Sequence, residues 1–111
     1  MQEKPTRYSM SVTVNGLGIT TVLIGRHYLK KHANYMNDEV ILELVAALDG
    51  HSFPVDSEID GIEYYAADVR SEATGKTFRI IWLFEGTKME VLGVINAYRR
   101  SKGGKNEGTE K

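Results

Sequence analysis

Apolar and polar positions alternate from Tyr8 to Val14. Tyr8, Met10, Val12 and Val14 share one side, and Ser9, Ser11 and Thr13 the other. A period of two residues predicts a half-buried strand. Asn15-Gly16 follows, the dipeptide best suited to the positive φ angles of a type I′ turn, and Ile19–Ile24 is rich in β-branched residues. The two segments form a hairpin, its loop widened by Gly18. After Gly25 the period lengthens. Tyr28, Leu29, His32 and Tyr35 fall at i, i+1, i+4 and i+7, which predicts a short amphipathic helix over Arg26–Met36 with Lys30 and Lys31 on its outer side.

A second helix begins at Asn37 or Asp38, where a short polar side chain caps free backbone N–H groups and the Asp38 and Glu39 carboxylates oppose the positive helix end. Its apolar stripe is Val40, Ile41, Leu44, Val45 and Leu48, and Gly50 stops it. From His51 to Gly61 the chain is polar and broken by Pro54, so it reads as a connection anchored by Phe53 and Val55. Three strands follow, Ile62–Arg70, Thr77–Phe84 and Met89–Arg99, joined by short turns that predict an antiparallel meander. Both faces of the middle strand carry apolar residues, which places it centrally.

The expected fold is α+β in the order β-β-α-α-β-β-β, a single globular domain over residues 1–100. Ser101–Lys111 contains three glycines and no apolar residue, the composition of a disordered tail. The pattern leaves open whether the N-terminal hairpin joins the meander's sheet or serves as an edge for dimerisation. The oligomeric state is equally open.

Composition narrows the chemistry. The 111 residues include no cysteine, which excludes disulfides, thiolate metal sites and Cys nucleophiles. Met1–Pro5 lacks the apolar core of a signal peptide, and the longest nearly apolar run, Ile80–Phe84, is too short to span a bilayer. The expectation is a soluble, cytoplasmic protein without membrane association. The formal net charge of −1 conceals segregation. Residues 1–37 carry five bases and one acid, residues 38–68 nine acids and no base, and residues 69–105 eight bases and three acids. Such a molecule can attract an anion on one side and repel it on another.

Two constellations could carry chemistry. Arg26, His27, Lys30, Lys31 and His32 crowd one predicted helix, where a histidine could move a proton and the cations could hold a phosphate. The alternative is a solvated basic face with His32 packed for structure. The second constellation comprises Arg70, Arg79, Asn96, Tyr98, Arg99 and Arg100. Arg79, flanked by Phe78, Ile80 and Ile81, requires an anionic or carbonyl partner, either a ligand or one of Glu63, Asp68 and Glu90. Asn96 and Tyr98 share a face and could orient a nucleotide or simply finish the sheet. His27 and His32 are five apart and cannot ligate a metal together as i, i+4 residues do, so no metal site or cofactor is expected. Asp56, Glu58 and Asp60 lack the pattern of a calcium loop and read as an acidic surface that repels polyanions or meets a basic partner.

A helix with a histidine, then Gly75-Lys76-Thr77-Phe78-Arg79-Ile80-Ile81-Trp82 and a last strand ending Val94-Ile95-Asn96-Ala97-Tyr98-Arg99-Arg100, resembles the RelE/BrnT-like toxins of the barnase/colicin-like group of small ribonucleases. The resemblance covers residues 26–100. It implies metal-independent RNA cleavage with catalytic roles falling on His32, Arg79 and Tyr98. The same pattern includes Arg70 as a binding residue, and the two constellations add Arg26, His27, Lys30, Lys31, Asn96 and Arg99 as candidates for holding the substrate. The 2′-hydroxyl would lose its proton to a base, arginines would stabilise the phosphorane-like transition state, and an acid would protonate the leaving oxygen. Its partners would be RNA and an antitoxin-like protein. Asn96-Ala97, where many relatives place Thr or Ser, and the added N-terminal hairpin depart from the pattern. The competing expectation is a non-enzymatic domain that binds a protein partner, in which Arg79 is satisfied by an internal carboxylate and residues 38–68 form an acidic interaction face.

Overall fold

A computed structural model of the chain describes residues 5–25 and 35–100. Six strands and one helix make up this part, in the order β1 (Thr6–Val14), β2 (Leu17–Ile24), α1 (Asp38–Ala47), β3 (Ser57–Ile59), β4 (Ile62–Arg70), β5 (Thr77–Glu85) and β6 (Val91–Arg99). They build one mixed sheet with spatial order β1-β2-β6-β5-β4-β3, in which only β2 and β6 run parallel. The fold is therefore largely β, and the expected two-helix α+β arrangement is corrected. Nine of the eleven residues expected in the first helix, 26–34, lie outside the described residues, and Tyr35 and Met36 are not helical.

The hairpin does join the main sheet. Its second strand sets Val22 beside Leu92 and Ile24 beside Val94, so the apolar positions of both hairpin strands continue the core-facing surface of β5 and β6. Asn15 and Gly16 take φ of 56° and 75°, as a type I′ turn demands. The same geometry recurs at Asp60 and Gly61, with φ of 53° and 80°, and closes the β3–β4 hairpin inside the stretch expected to be irregular.

Helix α1 covers one face of the sheet. Asn37 caps it, its side-chain oxygen accepting from Val40 N at 2.9 Å, and Ile41, Leu44 and Val45 are fully buried. They meet Val12, Val14, Ile19, Val22, Ile24, Phe78, Ile80, Trp82, Leu92, Val94 and Ala97 in one core. Trp82 sits centrally, its ring stacked on Tyr65 at 5.9 Å and met edge-on by Phe53 at 5.2 Å. A β-bulge at Ile95, between the pairs Ile81↔Asn96 and Trp82↔Val94, keeps both Val94 and Ala97 pointing into this core.

Polar tethers fix the loops. The Asn15 side chain accepts from Phe53 N and donates to Phe53 O, both at 2.9 Å, which pins the loop after α1 to the β1–β2 turn. Gly50 N donates to Thr13 O, and His51 bridges Val14, so this loop partly covers the edge of β1. Glu43 of α1 accepts from Ser71 Oγ at 2.8 Å, Glu72 N at 2.7 Å and Ala73 N at 3.3 Å, holding the β4–β5 turn against the helix. Of the two anchors expected in the loop, Phe53 packs on the core, whereas Val55 is 43% exposed.

Candidate functional site

The face of the sheet opposite α1 has no covering element among the described residues. Strand register arranges it in rows. Asp68, Arg79 and Tyr98 lie side by side on β4, β5 and β6, and Arg70 and Thr77 form the adjacent row. Next toward the middle come Ala66, Ile81 and Asn96, then Leu83 and Gly93. Alternation alone placed Asn96 and Tyr98 on one face, and the register agrees.

Arg79 is not an open cation. Its Nε donates to Asp68 Oδ1 at 2.8 Å and an Nη to Asp68 Oδ2 at 3.3 Å, a two-pronged pair. Arg100 approaches the same carboxylate, with Nε 3.6 Å from Oδ2. The Arg79 guanidinium is held further above its already high ordinary range, chiefly by the Asp68 hydrogen bonds and then by the charges of Asp68, Tyr98 and Asp56, against an opposing effect of burial. A planar fork facing a carboxylate from a neighbouring strand is the geometry guanidinium groups prefer.

The remaining expected residues divide. Arg99 pairs with Phe78, so it lies on the other side of the sheet, where its guanidinium is 4.8 Å from the Tyr35 ring centre and its backbone N–H donates to the Tyr35 hydroxyl at 3.1 Å. It does not join Arg79 and Tyr98. Asn96 is turned onto its own strand, its side-chain oxygen accepting from Ala97 N at 2.9 Å. Arg70 stays on the open face, with one Nη beside Gly75 in the following turn. Arg26, His27, Lys30, Lys31 and His32 lie outside the described residues. Arg79, Tyr98, Arg70 and Arg100 are thus brought together, with Asp68 among them.

A second surface emerges at the β3–β4 end. Four large apolar side chains are exposed there or beside it: Val55, Ile59 at 57%, Ile62 and Met89. Asp56, Glu58, Asp60 and Glu63 are exposed in the same stretch, the Glu58–Glu63 pair on the hairpin face opposite the Ile59–Ile62 pair. On the helix side of the sheet this end opens into a cavity of about 370 Å³ lined by Leu17, Glu58, Gly61, Ile62, Glu63, Tyr65, Phe84 and Met89. The Tyr65 ring meets Phe84 edge-on at 5.1 Å. Burial first, then the charge of Glu63 and a long 3.5 Å hydrogen bond to it, push the Tyr65 hydroxyl above its ordinary value of 10. The acidic run was visible in the sequence, but Val55 was expected as a buried anchor, and the exposure of Ile59, Ile62 and Met89 was not foreseen. Asp60-Gly61 carried the turn signal that would have shown the hairpin.

Among the described residues no group of three His, Asp or Glu side chains is placed to hold a metal ion, and no helix is long and apolar enough to cross a membrane. No family model, curated protein or solved structure matches the chain.

Proposed function

We propose that the protein is a non-catalytic binding module that engages a basic protein partner through its β3–β4 end. The observation that carries this reading is the exposed β3–β4 hairpin, whose register sets Ile59 beside Ile62 on one face and Glu58 beside Glu63 on the other, with Val55, Asp56 and Asp60 exposed in the same stretch. Apolar residues concentrated in a patch and ringed by charge of one sign are the usual composition of an interaction site. The pairing of Arg79 with Asp68 supports the same reading, because it gives the most conspicuous arginine of the sheet a structural partner. Charge complementarity selects a basic partner, since residues 38–68 contain no Lys or Arg.

A second reading, a metal-independent endoribonuclease of toxin-like type, draws on one specific observation. Arg79 and Tyr98 are direct cross-strand neighbours on the open face, next to Arg70 and Arg100. Against it, Asp68 neutralises part of the positive charge at that point and would repel a phosphate.

Affinity capture with wild type, Ile59→Ser/Ile62→Ser and Arg79→Ala/Tyr98→Phe proteins separates the two, followed by binding of the purified captured protein to each. The binding reading expects the hairpin double variant alone to lose the partner. Cleavage of a mixed RNA in EDTA by wild type, abolished in folded Arg79→Ala/Tyr98→Phe, would overturn it in favour of the nuclease.

A further inference from the structure

The cavity at the β3–β4 end combines features that point to a specific occupant. Glu58 and Glu63 are direct register partners across the hairpin, so two carboxylates face each other on adjacent strands. Like charges in that position destabilise a sheet. Neither has an ion-pair partner among the described residues, and no Lys or Arg lines the cavity. The other walls are apolar or aromatic: Leu17, Ile62, Phe84, Met89 and the Tyr65 ring. Two carboxylates alone do not make a site for a hard metal ion, which takes six or more oxygen ligands, and the aromatic walls offer it nothing.

We propose that this cavity receives an arginine side chain presented by the partner polypeptide. The guanidinium sits between Glu58 and Glu63, and the aliphatic stem lies along Leu17 and Met89. A planar fork with five donors can satisfy two facing carboxylates at once. The rings of Tyr65 and Phe84 complete the apolar wall against which the stem can pack. The cavity of about 370 Å³ lies within the range that accommodates a specific ligand group. The inference rests on the partner-binding reading and names the chemistry the partner must bring.

The test is NMR titration of the full chain with a capped Gly-Gly-Arg-Gly-Gly peptide, beside peptides carrying lysine or citrulline at the centre. With arginine, the resonances of Leu17, Tyr65, Phe84 and Met89 should shift together. Affinity should fall about tenfold or more with citrulline, in Glu58→Gln/Glu63→Gln, and again at high salt. The lysine peptide should bind more weakly than the arginine peptide. Because the carboxylates repel each other in the free protein, Glu58→Gln should also raise the thermal midpoint at low salt. Equal shifts with arginine and citrulline, or none at millimolar peptide, would overturn the proposal. If the captured partner still requires Ile59 and Ile62 while the arginine peptide leaves the cavity unmoved, the arginine site falls and the binding module stands.

Discussion

Replacing Glu43 tests how the helix is fastened to the sheet. Its carboxylate accepts three hydrogen bonds from residues 71–73, two of them shorter than 2.9 Å, and Ser71 is fully buried. A hydrogen bond to a charged group is worth about 1.5–3 kcal/mol when sheltered. Glu43 is only half-buried, so the three together should contribute about 2–3 kcal/mol rather than their buried sum. In Glu43→Ala the Ser71 hydroxyl still accepts from Thr74 N at 3.2 Å but loses its own acceptor inside the protein. Thermal unfolding followed by the fluorescence of Trp82, the only tryptophan, should show a midpoint lower by about 8–12 °C. A double-mutant cycle with Ser71→Ala should give a coupling of about 1 kcal/mol.

The pH dependence gives the same claim a sign. The Glu43 carboxyl is held below its ordinary value of 4.5, first by the Ser71 hydroxyl and then by the backbone N–H groups of Ala73 and Glu72, with burial opposing. A lowered folded-state pKa means that the stabilisation is complete above about pH 4.5 and disappears as pH falls through the folded value. The deficit of Glu43→Gln against wild type should therefore shrink in acid. A cost below about 0.5 kcal/mol for Glu43→Ala, or a Glu43→Gln deficit unchanged between pH 7 and pH 3, would refute the reasoning.

Three further outcomes follow from particular contacts. Asn15→Ala breaks two bonds to Phe53 and places alanine at a φ of 56°, so urea unfolding should report a loss of about 2 kcal/mol. Arg79→Ala should cost no more than about 1 kcal/mol by the same measurement, because the Arg79–Asp68 pair is about one-third exposed. Spectrophotometric titration should find Tyr65 ionising above its ordinary value, and Glu63→Gln should bring it partway down while burial keeps part of the shift.

Much of the strand layout was legible. Strand β4 spans Ile62–Arg70 as its pattern predicted, and β5 differs from expectation by one residue, because alternation and turn chemistry are local signals. The Asn15-Gly16 turn and the Asn37 cap were readable for the same reason. Strand β3 was missed because its three residues are all exposed and show no alternation, although Asp60-Gly61 marked its turn. Among the candidate site residues, alternation was enough to put Asn96 with Tyr98. It could not choose between Glu63, Asp68 and Glu90 as the partner of Arg79.

What the chain determines by itself is therefore its local grammar: where strands run, where they turn, where α1 starts and stops, and that its charges are segregated. The parallel pairing of β2 with β6, the placement of β3 on the sheet edge and the choice of Asp68 by Arg79 depend on residues far apart in sequence. No short-range pattern encodes them. They are settled when the apolar faces of β1, β2, β4, β5, β6 and α1 close over Trp82 and the backbone groups of each strand must find partners. Two acids of the 38–68 run come to line a cavity only because the β3–β4 hairpin brings Glu58 opposite Glu63, beside the rings of Tyr65 and Phe84, whereas Glu43 and Asp68 are taken up by Ser71 and Arg79.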